Sequence, residues 1–226
     1  MNTNSEEIEK LIRSLGGSFV GFSYVHDKLP EQLKKYPYAI TVGIRLSDAI
    51  IDEIEDKPTF TYFHHYRTVN SLIDQITLRC SLLIGELGYK SIPVPASQTV
   101  NEKDGKYQGI FPHKTAAVTA GLGWVGKNGL FISSDYGPRV RMGTVLTNME
   151  LPCTQELISE KCGKCNLCVL SCPATALSGM AWREGIQRED MVDAAACSEY
   201  MKKKFQHIGR GSVCGICIKV CPKGRR

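Results

Sequence analysis

The chain reads as an α/β or α+β body over residues 1–152, followed by a compact cysteine-rich tail over residues 153–226. Two observations predict this division. Before Leu151, β-branched and aromatic runs of strand type alternate with longer stretches of helical period. After it, strand signals almost vanish, and nine of the ten cysteines fall there, Cys80 being the exception.

Residues 5–15 predict a helix, with Ser5 as its cap, Ile8, Leu11, Ile12 and Leu15 on one face, and Gly16 and Gly17 ending it. Residues 18–25 and 38–46 predict strands. Ser47 opens a short helix through Ile54, and a longer one covers Tyr66 to Leu87, with Val69, Ile73, Ile76, Cys80, Leu83, Ile84 and Leu87 as its apolar stripe. A strand follows at Ile92 to Val94. Pro93 and Pro95 confine it to an edge or a strand start, because proline has no N–H for a central ladder. Residues 114–120 predict a short helix, GLGWVGKNG a tight glycine loop, and 129–133 and 143–148 two more strands.

Composition narrows the classes. Hydrophobic content of 42% and charged content of 23% are those of a water-soluble globule. No apolar run approaches the ~20 residues of a membrane span, so no membrane partner is expected. The net charge of +5 includes Lys202, Lys203, Lys204, Lys223, Arg225 and Arg226. Such a basic tail is either a solvated surface or a face for nucleic acid or an acidic redox partner.

The cysteines carry the chemistry. Cys162, Cys165, Cys168 and Cys172 stand in CGKCNLCVLSCP, a C-x2-C-x2-C-x3-C-P run, and Cys214, Cys217 and Cys221 close the chain in CGICIKVCP. The first pattern is the bacterial two-cluster ferredoxin run, whose fourth cysteine ligates the other cluster. A cubane takes four thiolates from different directions, so three come from one loop and the fourth from a distant segment. The second block lacks one cysteine: position 211, where a regular repeat would put it, is Gly211. Cys197 fills the gap. The expected sets are Cys162, Cys165, Cys168 and Cys221 for one 4Fe-4S cluster, and Cys172, Cys197, Cys214 and Cys217 for a second. The alternatives are disulfides, which a chain without a secretory signal disfavours, and a zinc ribbon, which lacks the C-x3-C-P ending. Cys80 falls on the apolar stripe and reads as a core thiol. Oxidisable clusters suit a reducing cytoplasm, as in an anaerobe.

Gly121, Gly123 and Gly126 satisfy G-x-G-x-x-G, but a helix precedes the motif and a strand follows, the reverse of a dinucleotide site. The same run nearly forms a P-loop, with Asn128 where a hydroxyl should hold magnesium. The glycines imply a close backbone approach, either to a ligand that meets bare amides or to a packed neighbour beneath Trp124.

The stretch AGLGWVGKNGLFISSDYGPRVRMGTVLTNMEL with the two cysteine blocks resembles the epoxyqueuosine reductases and the corrinoid reductive dehalogenases. Trp124, Lys127 and Asn128 are similar to the former, Gly137, Pro138 and Arg139 to the latter, and Cys197 in CSEY matches the lone cysteine between the blocks. The resemblance covers residues 114–222 well and the N-terminal part weakly. It implies a nitroreductase-like α/β body (1–152) that binds base-off cobalamin, with a C-terminal two-cluster ferredoxin-like domain (153–226). No D-x-H-x-x-G segment stands in the chain to supply a histidine to cobalt. Corrinoid contacts would fall on Gly121, Gly123, Trp124, Gly126, Lys127, Asn128, Arg139 or Arg141, and on His65 and Tyr66, which are similar to a Y-H pair near the cofactor. Arg139 and Arg141 alternate along a strand and cannot both face one way.

The resemblance also implies an oxidoreductase in which a ferredoxin- or flavodoxin-type donor feeds the clusters, which reduce cobalt and then a small-molecule or modified-nucleoside substrate. An ungapped overlay puts Tyr107 where the relatives keep a proton donor, with an exposed loop tyrosine as the alternative; His113 is the second candidate acid. The tRNA-acting relatives continue beyond the last cysteine block into a segment that grips tRNA, whereas this chain ends five residues after Cys221, which weighs against tRNA. The rival readings are a two-cluster electron carrier and a corrinoid-reducing activator without a substrate of its own.

Overall fold

The computed structural model describes residues 3–98, 100, 107–153 and 156–224. Contacts divide them into two compact units interleaved along the chain. Unit 1 is 1–45, 69–122 and 141–158; unit 2 is 46–68, 123–140 and 159–226. No single cut near residue 152 separates them, because two segments of the body sequence, 46–68 and 123–140, pack with the cysteine tail.

Unit 1 is built on a four-stranded sheet. β1 (Phe19–Tyr24), β2 (Tyr38–Arg45), β3 (Ser91–Val94) and β6 (Val140–Thr147) lie in the order β1-β2-β6-β3. β1 pairs antiparallel with β2, and β3 with β6, in a body that mixes helices and strands. β3 is the edge strand, as Pro93 requires. In the β1–β2 register Phe19 faces Gly43, and a Cβ at Gly43 would lie 2.0 Å from the Phe19 ring, so glycine alone makes room for that ring.

Helix α1 (Thr3–Ser14) buries Ile8 and Ile12. It starts before Ser5, whose side chain is buried within the helix rather than capping it. The long helix α3 (Phe60–Glu86) buries Val69, Ile73, Ile76, Cys80 and Ile84 of the expected stripe, while Leu83 is half-buried and Leu87 lies past its end. It also begins six residues earlier than the stripe indicates, because the Thr59 hydroxyl accepts from the Tyr62 N–H at 3.0 Å and caps it. Gly143 in β6 lets α3 approach: a Cβ there would meet Ile73 Cγ2 at 2.4 Å. Cys80 is fully buried, and burial pushes its thiol up to about 12, so it is an inert core residue. Helix α4 (His113–Thr119) packs on β1 and β2.

Unit 2 holds eight of the cysteines on loops and helices, Cys80 and Cys153 lying in unit 1. β4 (Gly123–Val125) and β5 (Phe131–Ser133) form an antiparallel hairpin, so the glycine loop conceals a strand. Helix α2 (Asp48–Asp52) follows Ser47 as expected. In the tail come α5 (Leu167–Leu170), α6 (Arg188–Met191), α7 (Ala194–Gly209) and α8 (Ile216–Lys219). None of these four follows from the cysteine pattern. α7 nonetheless had a legible start, since Asp193 accepts from the Ala196 N–H at 2.9 Å and caps it.

Candidate iron–sulfur site

Four cysteines from two distant segments surround one cavity. Cys162, Cys165, Cys168 and Cys221 line it together with Lys127 and Asn128. Three come from the first block and its turn into α5, and the fourth from the loop after α8. The second set gathers around α7 and α8. Cys197 lies in the first turn of α7, held by its N–H bond to the Asp193 carbonyl at 3.1 Å.

The electrostatics sort the thiols the same way. Every shifted cysteine in the tail is pushed up first by burial. Beyond that, Cys168 feels Cys162, Cys221 and Cys165, and Cys221 feels Cys162 and Cys165. Cys214 rises to about 11 with Cys197 and Cys172 as its neighbours. Cys217 feels Cys214 and Cys197, then Cys168 and Cys172, so it stands where the two sets approach each other. Among the described residues no group of three or more His, Cys, Asp or Glu is arranged for a single metal ion. The first set surrounds a cavity instead, as a cluster with one thiolate per iron requires.

Gly211 explains the missing fourth cysteine of the second block. It follows Arg210, which ends α7 in left-handed backbone (φ 54), and is itself left-handed (φ 69). A Cβ at Gly211 would lie 2.4 Å from Lys202 Cα. No side chain fits there, so position 211 cannot carry a cysteine.

The turn between β4 and β5 braces both cysteine blocks. Lys127, only 8% exposed, donates from Nζ to the Gly163 carbonyl at 2.8 Å and to Asn166 Oδ1 at 2.9 Å, inside the first block. Asn128 accepts from the Leu130 N–H at 3.1 Å and donates to the Cys217 carbonyl at 3.5 Å, in the second. These two side chains, expected at a corrinoid, are engaged by the cluster loops. The glycines are likewise engaged. A Cβ at Gly123 would lie 2.0 Å from the Ile132 carbonyl oxygen, and one at Gly126 2.8 Å from the Ile132 side chain. Gly121 donates its N–H to Val118 and Gly126 donates to Leu130. The close approach is therefore to β5 rather than to a ligand that meets bare amides.

Arg139 is 2% exposed, and its guanidinium donates to Asp48 at 2.9 Å and Asp52 at 2.8 Å. Lys219, between Cys217 and Cys221, pairs with the same Asp52 at 3.6 Å. This network ties α2 to α8 and was invisible in sequence, since 87 residues separate Arg139 from Asp52. His65 Nε2 accepts from the Ser47 N–H at 3.1 Å, which fixes the start of α2, and burial lowers its pKa. Tyr66 packs edge-on against Tyr62, with ring centroids 6.3 Å apart.

In unit 1, Arg141 donates to Asn70 Oδ1 at 2.9 Å and to the Ala96 carbonyl at 3.2 Å. His113 has both ring nitrogens engaged. Nε2–H donates to the Pro95 carbonyl at 3.0 Å, so Nδ1 accepts from the Thr144 hydroxyl at 2.8 Å. Burial pushes it down to about 4, which leaves a neutral imidazole whose one N–H is held by the Pro95 carbonyl. Tyr107 holds left-handed backbone (φ 66) beside the Val100–Gln108 bridge, a conformation that a non-glycine residue rarely keeps.

The tail matches a family model described as a 4Fe-4S double cluster binding domain over residues 161–224. The epoxyqueuosine reductase of Vibrio cholerae is 27% identical over 171 residues, 71% of this chain and 40% of that protein. That of Synechocystis is 31% identical over 151 residues, covering 61% and 49%. A tetrachloroethene reductive dehalogenase of Desulfitobacterium hafniense is 29% identical over 162 residues, covering 65% and 26%. Among solved structures, a reductive dehalogenase studied for B12-dependent dehalogenation matches 99% of this chain and 32% of its own with a TM-score of 0.75 at 18% identity. Epoxyqueuosine reductase from Streptococcus thermophilus matches 100% and 67% with 0.63 at 21%. This chain is thus similar to both epoxyqueuosine reductases and reductive dehalogenases, and it covers less than half the length of these curated relatives. Among the described residues no helix is long and apolar enough to cross a membrane.

Proposed function

We propose that this chain is a cytoplasmic oxidoreductase with two 4Fe-4S clusters, one held by Cys162, Cys165, Cys168 and Cys221 and the other by Cys172, Cys197, Cys214 and Cys217. The observation that carries the reading is the separation of eight cysteines into two neighbourhoods of four, each drawing on both blocks or on α7. Such clusters supply one-electron transfer at potentials set by charge, hydrogen bonds to sulfur and exposure. The protein's part is positional: Lys127 and Asn128 hold the two loops in register, and the Arg139–Asp52–Lys219 network fixes α8 beside them.

We assign the clusters to a ferredoxin-like segment from residue 153 onward and the substrate to a nitroreductase-like body before it. Base-off cobalamin is the second cofactor of this reading, on the strength of the relatives. In this reading the glycine loop does not supply its cradle, because the Gly121 and Gly126 amides bond Val118 and Leu130 and the faces of Gly123 and Gly126 meet Ile132. The substrate class is a modified nucleoside or a small organohalide, and the electron donor a ferredoxin or flavodoxin. Tyr107 is the candidate acid, a phenol whose O–H can donate.

The test is anaerobic reconstitution followed by metal analysis, expected to give about eight iron and eight sulfide per chain, as two four-iron cubes require. Spectral titration should then show cobalamin binding without a base-on spectrum. With epoxyqueuosine or an organohalide as substrate, Tyr107→Phe should leave that binding intact and lower turnover by ~10²–10⁴-fold. A full complement of iron with no cobalamin binding would replace this reading with that of an electron carrier.

A further inference from the structure

Helix α3 is apolar on two sides. Its Val69–Ile84 stripe is buried, but Leu78 and Leu82, on the opposite side, are 53% and 59% exposed. A helix packed on one layer needs only one apolar stripe. Exposed leucines scattered singly are ordinary, whereas these border a groove. The groove, of about 510 Å³, runs between α1 and α3 and lies wholly within unit 1. Leu11, Leu82 and Leu83 give it an apolar lining, and Glu7, Lys10, Arg79 and Glu86 give it charge. Those charges are sorted by position. Gly16, just past the end of α1, lies against Leu72, so the two helices run antiparallel along the groove. Glu7 therefore falls towards the Glu86 end, and Lys10 lies one turn further along α1, towards the Arg79 end. Among the described residues none of these four forms an ion pair.

We propose that this groove seats a second copy of the chain, with the two α3 helices antiparallel about a two-fold axis beside Leu82 and Leu83. A two-fold contact is self-complementary, so each contact between unlike residues is made twice. Arg79 and Glu86 stand two helical turns apart, about 10 Å along the axis, with Leu82 and Leu83 midway. Reversing the helix about that midpoint carries position 79 onto position 86. Arg79 of each copy then meets Glu86 of the other, and Leu82 meets Leu83. The result is an apolar centre between two charged ends, the usual anatomy of a protein interface. A parallel pair of helices would instead set arginine beside arginine and glutamate beside glutamate, which is repulsive. A partner of uniform charge would satisfy one end of the groove and oppose the other. A second copy satisfies both, because it carries the same dipolar groove in reverse.

The experiment is analytical ultracentrifugation of the reconstituted full chain, kept reduced and free of oxygen so that no disulfide joins two copies. As concentration rises, the parent should pass from one chain mass to two. Arg79→Glu alone and Glu86→Arg alone each alter the interface twice, and each should raise the dimer dissociation constant about tenfold or more. The double variant Arg79→Glu with Glu86→Arg exchanges the charges and restores both pairs, so its constant should return to within about threefold of the parent's. Leu82→Asp, at an exposed position that the monomer does not pack, should leave a single chain with the parent's iron content and denaturant midpoint. A parent that keeps one chain mass up to ~1 mM overturns the proposal. So does a dimer that survives Leu82→Asp, or a double variant that associates no more tightly than the single ones.

Discussion

Lys127→Met should loosen the first cysteine loop without disturbing the hairpin that presents it. The stem of the side chain is preserved, and only the ammonium that bonds Gly163 and Asn166 is lost. Hydrogen bonds to a charged group contribute ~1.5–3 kcal/mol each. Gly163 and Asn166 are exposed, so water replaces much of what they lose, and the net cost falls to about the value of one such bond. At ~1.4 kcal/mol per factor of ten, the loop should open about 10- to 100-fold more often in the variant. The assay is the rate at which an iron chelator strips the reconstituted protein under anaerobic conditions. The EPR signals show which cluster goes first, and that should be the one bounded by Cys162, Cys165, Cys168 and Cys221. A stripping rate within twofold of the parent, or equal acceleration at both clusters, would refute the bracing role of Lys127.

Cys197→Ser should remove one of the two cluster signals and spare the other; retention of both with unchanged spectra would return Cys197 to the status of a helix-surface thiol. His113 gives a pH signature in stability. Its folded pKa is pushed down to about 4 from an ordinary 6.5, so the unfolded chain binds the extra proton between these values. Its contribution is complete above pH 6.5 and is lost as pH falls towards 4. Denaturant midpoints measured across that window should decline in the parent and decline less in His113→Gln; identical slopes would mean that the imidazole is solvated.

The gathering of Cys162, Cys165, Cys168 and Cys221 was legible because iron chemistry constrains spacing along the chain. A C-x2-C-x2-C loop supplies three thiolates locally, and the fourth comes from a distant segment. The long apolar stripe of α3 and the edge position of β3 were legible for a similar reason: helical period and a proline without an N–H are local properties. The start of α3 was not, because Phe60 is 66% exposed and lies outside the stripe, while the cap that begins the helix is a single threonine.

Sequence by itself singled out the cysteines, and Cys162, Cys165, Cys168 and Cys221 do line one cavity, since residue type and spacing are written along the chain. Tertiary structure alone decided what surrounds those ligands. The glycine motif suggested a ligand cradle, and only the pairing of β4 with β5 showed Gly123 and Gly126 pressed against Ile132. Arg139 could have faced a ligand until Asp48 and Asp52 met it from a helix far away in sequence. Contacts of that kind depend on which distant segments share a unit, and 46–68 and 123–140 join the tail through packing that no local period or motif encodes.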